Sequence, residues 1–300
     1  MIISNHIKDI IRFYESENPG VKTNLIRILS HGKVGGTGKL LVLPVDQGLE
    51  HGPTRSFAKN PDSYDPHYHF QLAIDGGFSA FAAPIGMLEA GASTYAGSIP
   101  LILKINSSIA LSPRSSFPDQ VVTSCIKDAL RLGCVAIGLT IYPGSHNFFS
   151  MVREVRSLIT EAKSSGLAVV IWSYPRGEDL SKQGETAIDT VAYAAHIAAS
   201  LGAHIIKVKL PTSHIEKDPV PCDVSSLEKR VEYVKLSCFA GRRIVVFSGG
   251  ESKSDEELFQ EIQSIKLGKG NGSIIGRNSF QRSKNDAISM VDKIAQIYNS

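Results

Sequence analysis

"AYAAHIAASLGAHIIKVK", Ala192 to Lys209, runs from a helix pattern through a glycine into a strand. The alanine-rich half suits a helix ending at "SLG", where Gly202 can take the left-handed cap. The other half, continued by Leu210 and Pro211, separates at period two. Ile206, Val208 and Leu210 fall on one face, and Ile205, Lys207 and Lys209 on the other. A strand so apolar is covered on both sides, as in a parallel sheet lying under helices.

The same unit recurs in both directions along the chain. Strand-like runs lie at Leu40 to Gln47, Phe78 to Gly86, Pro100 to Ser107, Cys134 to Tyr142, Ala168 to Pro175, His204 to Pro211, Arg243 to Gly250 and Gly272 to Asn278. Between them are helix patterns at Gln120 to Leu132, Phe148 to Ser165, Glu185 to Leu201, Val224 to Phe239 and Ser254 to Leu267. This alternation predicts an α/β fold, a (β/α)8 TIM barrel over residues 40–300, in preference to a doubly wound open sheet. Its weakest unit is the second, where Gly86 to Gly97 is short and glycine-rich. Residues 1–39 read as an N-terminal helical extension packed on the barrel, with helices at Ile7 to Tyr14 and Val21 to Leu29. "GKVGGTGK" (Gly32 to Lys39) has neither the glycine spacing nor the Ser/Thr of a phosphate loop and reads as a flexible turn.

Composition narrows the function. In 300 residues, 42% are hydrophobic and 20% charged, the balance of a soluble globular protein. The net charge of +3 is spread with acids between the bases, which speaks against nucleic acid and leaves anionic small molecules as partners. Four cysteines without a C-x-x-C pair read as reduced thiols of a cytoplasmic protein. Neither a signal peptide nor a membrane-spanning run is visible.

In a barrel, polar residues belong at the carboxyl ends of the strands. Here Asp46, Lys104 with Asn106, Tyr142, Tyr174 with Arg176, Lys207 with Lys209, Ser248 to Gly250, and Gly276 with Arg277 all occupy such ends. Both lysines of "KVK" face inward, where burial and like-charged neighbours depress an amine's pKa. Lys209, nearer the rim, is expected to be such a neighbour to Lys207. A neutral buried amine suits Schiff-base chemistry with a carbonyl, whereas a Lys207–Asp46 ion pair would be purely structural. An enamine route also needs a proton shuttle and an orienting carboxylate, which Tyr174 and Asp46 can supply. "SGG" (Ser248, Gly249, Gly250) and "GR" (Gly276, Arg277) end the seventh and eighth strands, where barrels bind phosphate. His51 lies in the loop after the first strand, within reach of a substrate. His67 and His69 form an H-x-H pair, read as surface helix residues, and no metal site or cofactor is expected.

"DQGLEHGP", "NPDSYDP", "PLILKIN", "TIYPGS", "WSYPRG", "AYAAHIAASLGAHIIKVK", "SGG" and "GRN", in this order from about Leu41 to Tyr298, resemble the archaeal-type (DhnA family) class I fructose-bisphosphate aldolases. The resemblance implies metal-independent cleavage of fructose 1,6-bisphosphate in glycolysis and gluconeogenesis. It implies Lys207 as the Schiff-base lysine, Tyr174 as acid–base residue and Asp46 as a catalytic carboxylate. Gln47, His51, Arg176, Lys209, Ser248, Gly249, Gly250, Gly276 and Arg277 would bind the phosphorylated sugar. Gln47 stands where many relatives carry histidine. Family members form homo-oligomers, and the same is expected here. The alternatives are a sibling Schiff-base synthase or thiolase acting on another sugar phosphate, and a sugar-phosphate-binding protein without activity.

Overall fold

The computed structural model describes residues 3–113, 117–248 and 254–300. Eight strands close a parallel barrel: β1 (Leu40–Pro44), β2 (Ala80–Pro84), β3 (Leu101–Lys104), β4 (Ala136–Ile141), β5 (Ala168–Ser173), β6 (Ile205–Lys209), β7 (Ile244–Ser248) and β8 (Gly272–Ile274). Each strand pairs with its sequence neighbours, and β1 pairs with β8 to complete the ring. Every run read as a strand in the sequence is one, and the barrel is the expected fold.

Burial divides each strand into its two faces. Ile206, Val208, Val245 and Phe247 pack outward into the layer under the helices. Leu40, Val42, Ala80, Ala82, Ile102, Ala136, Ala168, Val170 and Ile205 fill the interior with small and branched side chains. Gly138 on β4 is required by a close approach. A Cβ there would stand 2.4 Å from the Trp172 indole, so its hydrogen leaves room for that ring inside the barrel.

Helices α1 (Asn5–Arg12) and α2 (Pro19–Ser30) start where Ser4 and Asn18 accept hydrogen bonds from the Ile7 and Val21 N–H groups. From α2, Val21, Leu25, Ile28 and Leu29 join the interior cluster, so this helix stops the amino-terminal end of the barrel. Between the two helices, Tyr14 Oη donates to His204 O at 2.6 Å and accepts from Ile244 N at 3.1 Å, bridging the starts of β6 and β7. His204 Nδ1 accepts from Val169 N, and its Nε2 lies 3.1 Å from Glu17 Oε1.

Three local readings need correction. The helix expected from Gln120 begins only at Ile126, because Val121–Val122 pairs with Asn106–Ser107 in a two-stranded hairpin. β-branched Val121, Val122 and Thr123 favour that extended backbone, and Asp128 completes a capping box with Cys125. The second unit does carry a helix, Ile85–Gly91, whose closing glycine fits tightly against Phe70. His69 is buried, its Nε2 2.7 Å from Ser63 O, because its helix turns that face onto Phe57 and Phe280. Burial lowers its pKa to about 4.

Candidate active site

The carboxyl ends of the strands surround one cavity. Asp46, Tyr174 and Lys207 border it, as do Gln47, His51, Arg176, Lys209, Ser248, Gly276 and Arg277. The two remaining candidates, Gly249 and Gly250, lie outside the described residues.

Lys207 is the inward residue at the centre of β6, level with Trp172 on β5 and Val246 on β7. Its ammonium sits 5.4 Å from the Trp172 ring centre and 5.5 Å from that of Tyr174, and the residue is 5% exposed. Burial lowers its pKa to about 8, against the fields of Asp46 and Glu50, which favour the charged form. Among the described residues no carboxylate forms an ion pair with it. The cation that adds to the depression is Arg277, not Lys209 as expected from the sequence. Lys209, one repeat nearer the rim, turns to Glu185 at 3.4 Å.

Tyr174 follows β5 and is held by its N–H to Ile141 O. Burial pushes its phenol well above the usual range, and Asp46 and Glu50 push the same way, while a hydrogen bond with Ser248 and the charge of Arg176 oppose them. The resting phenol therefore carries its proton and faces the amine. Asp46 is 7% exposed at the end of β1, and its field reaches both Lys207 and Tyr174.

Two cationic groups stand apart at the mouth. On the β1–β8 side the charge of Arg277 bears on His51, and on the β5–β6 side that of Arg176 bears on Lys209. Gly276 allows β8 to approach β1. A Cβ on it would lie 2.8 Å from Gln47 Nε2 and 2.9 Å from Pro44 O. Among the described residues the buried Gln47 Oε1 has no hydrogen-bond partner, an acceptor suited to a hydroxyl donor.

Sequence reasoning missed two members. Glu50 follows Asp46 by one helical turn, its N–H bonded to Asp46 O, which brings both carboxylates to the same cavity. That spacing after a strand was the available signal. Trp172, the chain's single tryptophan, lies two residues before Tyr174 on the inward face, so alternation alone would have found it. Lys104 was visible as a strand end but had no role. It is 4% exposed, with its ammonium 5.8 Å from the Trp172 ring centre and bonded to Asn106 Oδ1 at 3.2 Å. Burial lowers it, too, to about 8.

The model of the DeoC/LacD family aldolases matches residues 40–282. A probable class 1 fructose-bisphosphate aldolase of Chlamydia muridarum is 34% identical over 95% of this chain and 87% of its own length. The class 1 fructose-bisphosphate aldolase of Thermoproteus tenax is 36% identical over 87% of this chain and 89% of its own. A solved archaeal fructose-1,6-bisphosphate aldolase, with its catalytic lysine bound covalently to the carbinolamine intermediate, superposes with a TM-score of 0.76. It is 34% identical and covers 88% of this chain and 95% of that one. Matched through its barrel and alike in sequence over most of its length, the chain belongs to the DeoC/LacD aldolase family, among the class I fructose-bisphosphate aldolases.

Proposed function

We propose that this protein cleaves fructose 1,6-bisphosphate reversibly to dihydroxyacetone phosphate and glyceraldehyde 3-phosphate through a Schiff base on Lys207. The observation that carries the reading is a buried amine with its pKa lowered to about 8, facing a protonated phenol between two cationic groups. A substrate charged at both ends with a carbonyl near one of them fits that layout.

The neutral Lys207 amine adds to C2 of the open-chain ketose, giving a carbinolamine. Tyr174 donates its proton to the departing hydroxyl, water leaves, and an iminium and a phenolate remain. The phenolate takes the C4 hydroxyl proton as the C3–C4 bond breaks, and that electron pair becomes the enamine. Glyceraldehyde 3-phosphate departs, the re-formed Tyr174 phenol gives its proton to C3, and water adds to the iminium, returning a proton to the phenolate as dihydroxyacetone phosphate leaves the lysine. Asp46 and Glu50 favour the cationic iminium, because both already favour the charged form of Lys207. The C1 phosphate is assigned to Arg277, Gly276, Ser248, Gly249 and Gly250, with His51 beside it. The C6 phosphate is assigned to Arg176 and Lys209, and the Gln47 acceptor takes a sugar hydroxyl.

The finer parts of the proposal are a metal-independent route in glycolysis and gluconeogenesis, a cytoplasmic setting and a homo-oligomer. Residues 1–39 act as an extension of the catalytic barrel at 40–300. Borohydride reduction in the presence of dihydroxyacetone phosphate, followed by peptide mapping, should place the adduct on Lys207. An adduct on Lys209 or Lys104 would reassign the nucleophile, and no adduct at all would end the Schiff-base reading. Cleavage of fructose 1,6-bisphosphate that survives a chelator supports the metal-independent route.

A further inference from the structure

Tyr142 lies just past β4 and is 1% exposed, yet no step above uses it. Its hydroxyl oxygen is approached by Gln120 Nε2 at 2.7 Å, Arg176 Nη1 at 3.1 Å, Ser108 Oγ at 3.4 Å and Glu50 Oε1 at 3.5 Å. The amide and guanidinium N–H groups can only donate, so they occupy the oxygen's two lone pairs. The phenol hydrogen is left for Glu50 or Ser108. Burial raises this phenol to about 12, so the hydrogen stays in place.

The Arg176 guanidinium carbon also stands 4.7 Å from the centre of the Tyr142 ring, against 5.9 Å from that of Tyr174. One tyrosine thus takes an edge bond and a face contact from the same arginine, which fixes both the direction and the plane of its fork. That restraint has something to prevent. Arg176 borders the catalytic cavity and also a second cavity under the hairpin, where Ser108, Gln120 and Tyr142 form part of the wall. Arg176 extends from the end of β5, three strands round the ring from β8 and Arg277. The two cations are therefore placed for opposite ends of one substrate.

We propose that Tyr142 is a positioning residue that aims Arg176 into the catalytic cavity and so sets the preference for ketoses phosphorylated at both ends over those phosphorylated at C1 alone. This rests on the reading that Arg176 receives the phosphate of the aldehyde half. The hydroxyl acts on the arginine and leaves the lysine chemistry to Lys207, Tyr174 and Asp46.

The test compares kcat/KM for fructose 1,6-bisphosphate and fructose 1-phosphate. Tyr142→Phe should lower the ratio of the two by roughly tenfold, the scale of one hydrogen bond to a charged group, and through KM. A merely structural role would lower both values together and leave the ratio at its wild-type level. Arg176→Met should lower the ratio at least as far. A lowered ratio in Arg176→Met with an unchanged one in Tyr142→Phe overturns the inference, while an unchanged ratio in both overturns the assignment of Arg176 beneath it. Arg176→Lys keeps the charge but loses the planar fork, and tests orientation without touching the tyrosine. It should match Tyr142→Phe, and a wild-type ratio would show that charge suffices and overturn the proposal. Borohydride trapping with dihydroxyacetone phosphate should persist in Tyr142→Phe, and its loss would place Tyr142 in the lysine chemistry instead.

Discussion

Lys207 shows what one buried amine gains from its surroundings. Its pKa near 8 means that the neutral form grows as pH rises through that value, so kcat/KM is expected to climb to a plateau just above it. Glu50 works in the opposite sense by favouring the ammonium. Glu50→Gln should therefore shift the acid limb of the profile to lower pH, and a shift to higher pH would refute the assigned sign. Strand alternation was enough to turn Lys207 inward, since one face of "IIKVKL" was wholly apolar. It could not show which groups set its pKa, because Asp46, Glu50 and Arg277 follow β1 and β8, in a turn and short helices outside the strand period. The expected Lys207–Lys209 coupling failed for the same reason, as Glu185 lies outside the strand pattern.

Among the elements, β4 shows how a missing side chain can shape a site. Gly138→Ala would set a methyl 2.4 Å from the Trp172 indole, and rearranging a packed interior costs about 1–3 kcal/mol. The variant is expected to melt earlier and to lose activity, because Trp172 is level with Lys207 and its ring centre stands 5.4 Å from that ammonium. Unchanged melting and turnover would show that the indole moves freely. All eight strands were legible, since burial on both faces leaves an unbroken apolar run bounded by glycines and helices. The helix after β3 was half legible. Gln120 to Leu132 has helical spacing, but Val121 and Val122 gain hydrogen bonds by pairing with Asn106–Ser107, beyond the reach of any local rule.

For the whole molecule, buried ionisable groups set the dependence of stability on pH. Lys39, Lys104, Lys207 and Lys235 are each lowered by burial to about 8. Above that pH the unfolded chain binds more protons than the folded one, so these four add stability as pH rises towards roughly 10. Cys134 and Cys238, raised by burial to about 12, subtract it once unfolded thiols ionise. The buried phenols of Tyr14, Tyr142, Tyr174 and Tyr298 do the same above about 10. On the acid side, His31, His51, His69 and His204 are lowered by burial, and their contribution is lost as pH falls below roughly 6.5. Thermal unfolding is therefore expected to show a maximum Tm at about pH 9 to 10, and a steady fall from pH 7 to 9 would contradict this balance. The Tyr14 bridge has a consequence of a different kind, in the order of events during synthesis. Its partners His204 and Ile244 follow it by 190 and 230 residues, so the stopper is made first and can be seated only after most of the barrel exists. Until then Val21, Leu25, Ile28 and Leu29 have no finished interior to enter, and the nascent chain must carry that sticky stripe through nearly its whole passage from the ribosome.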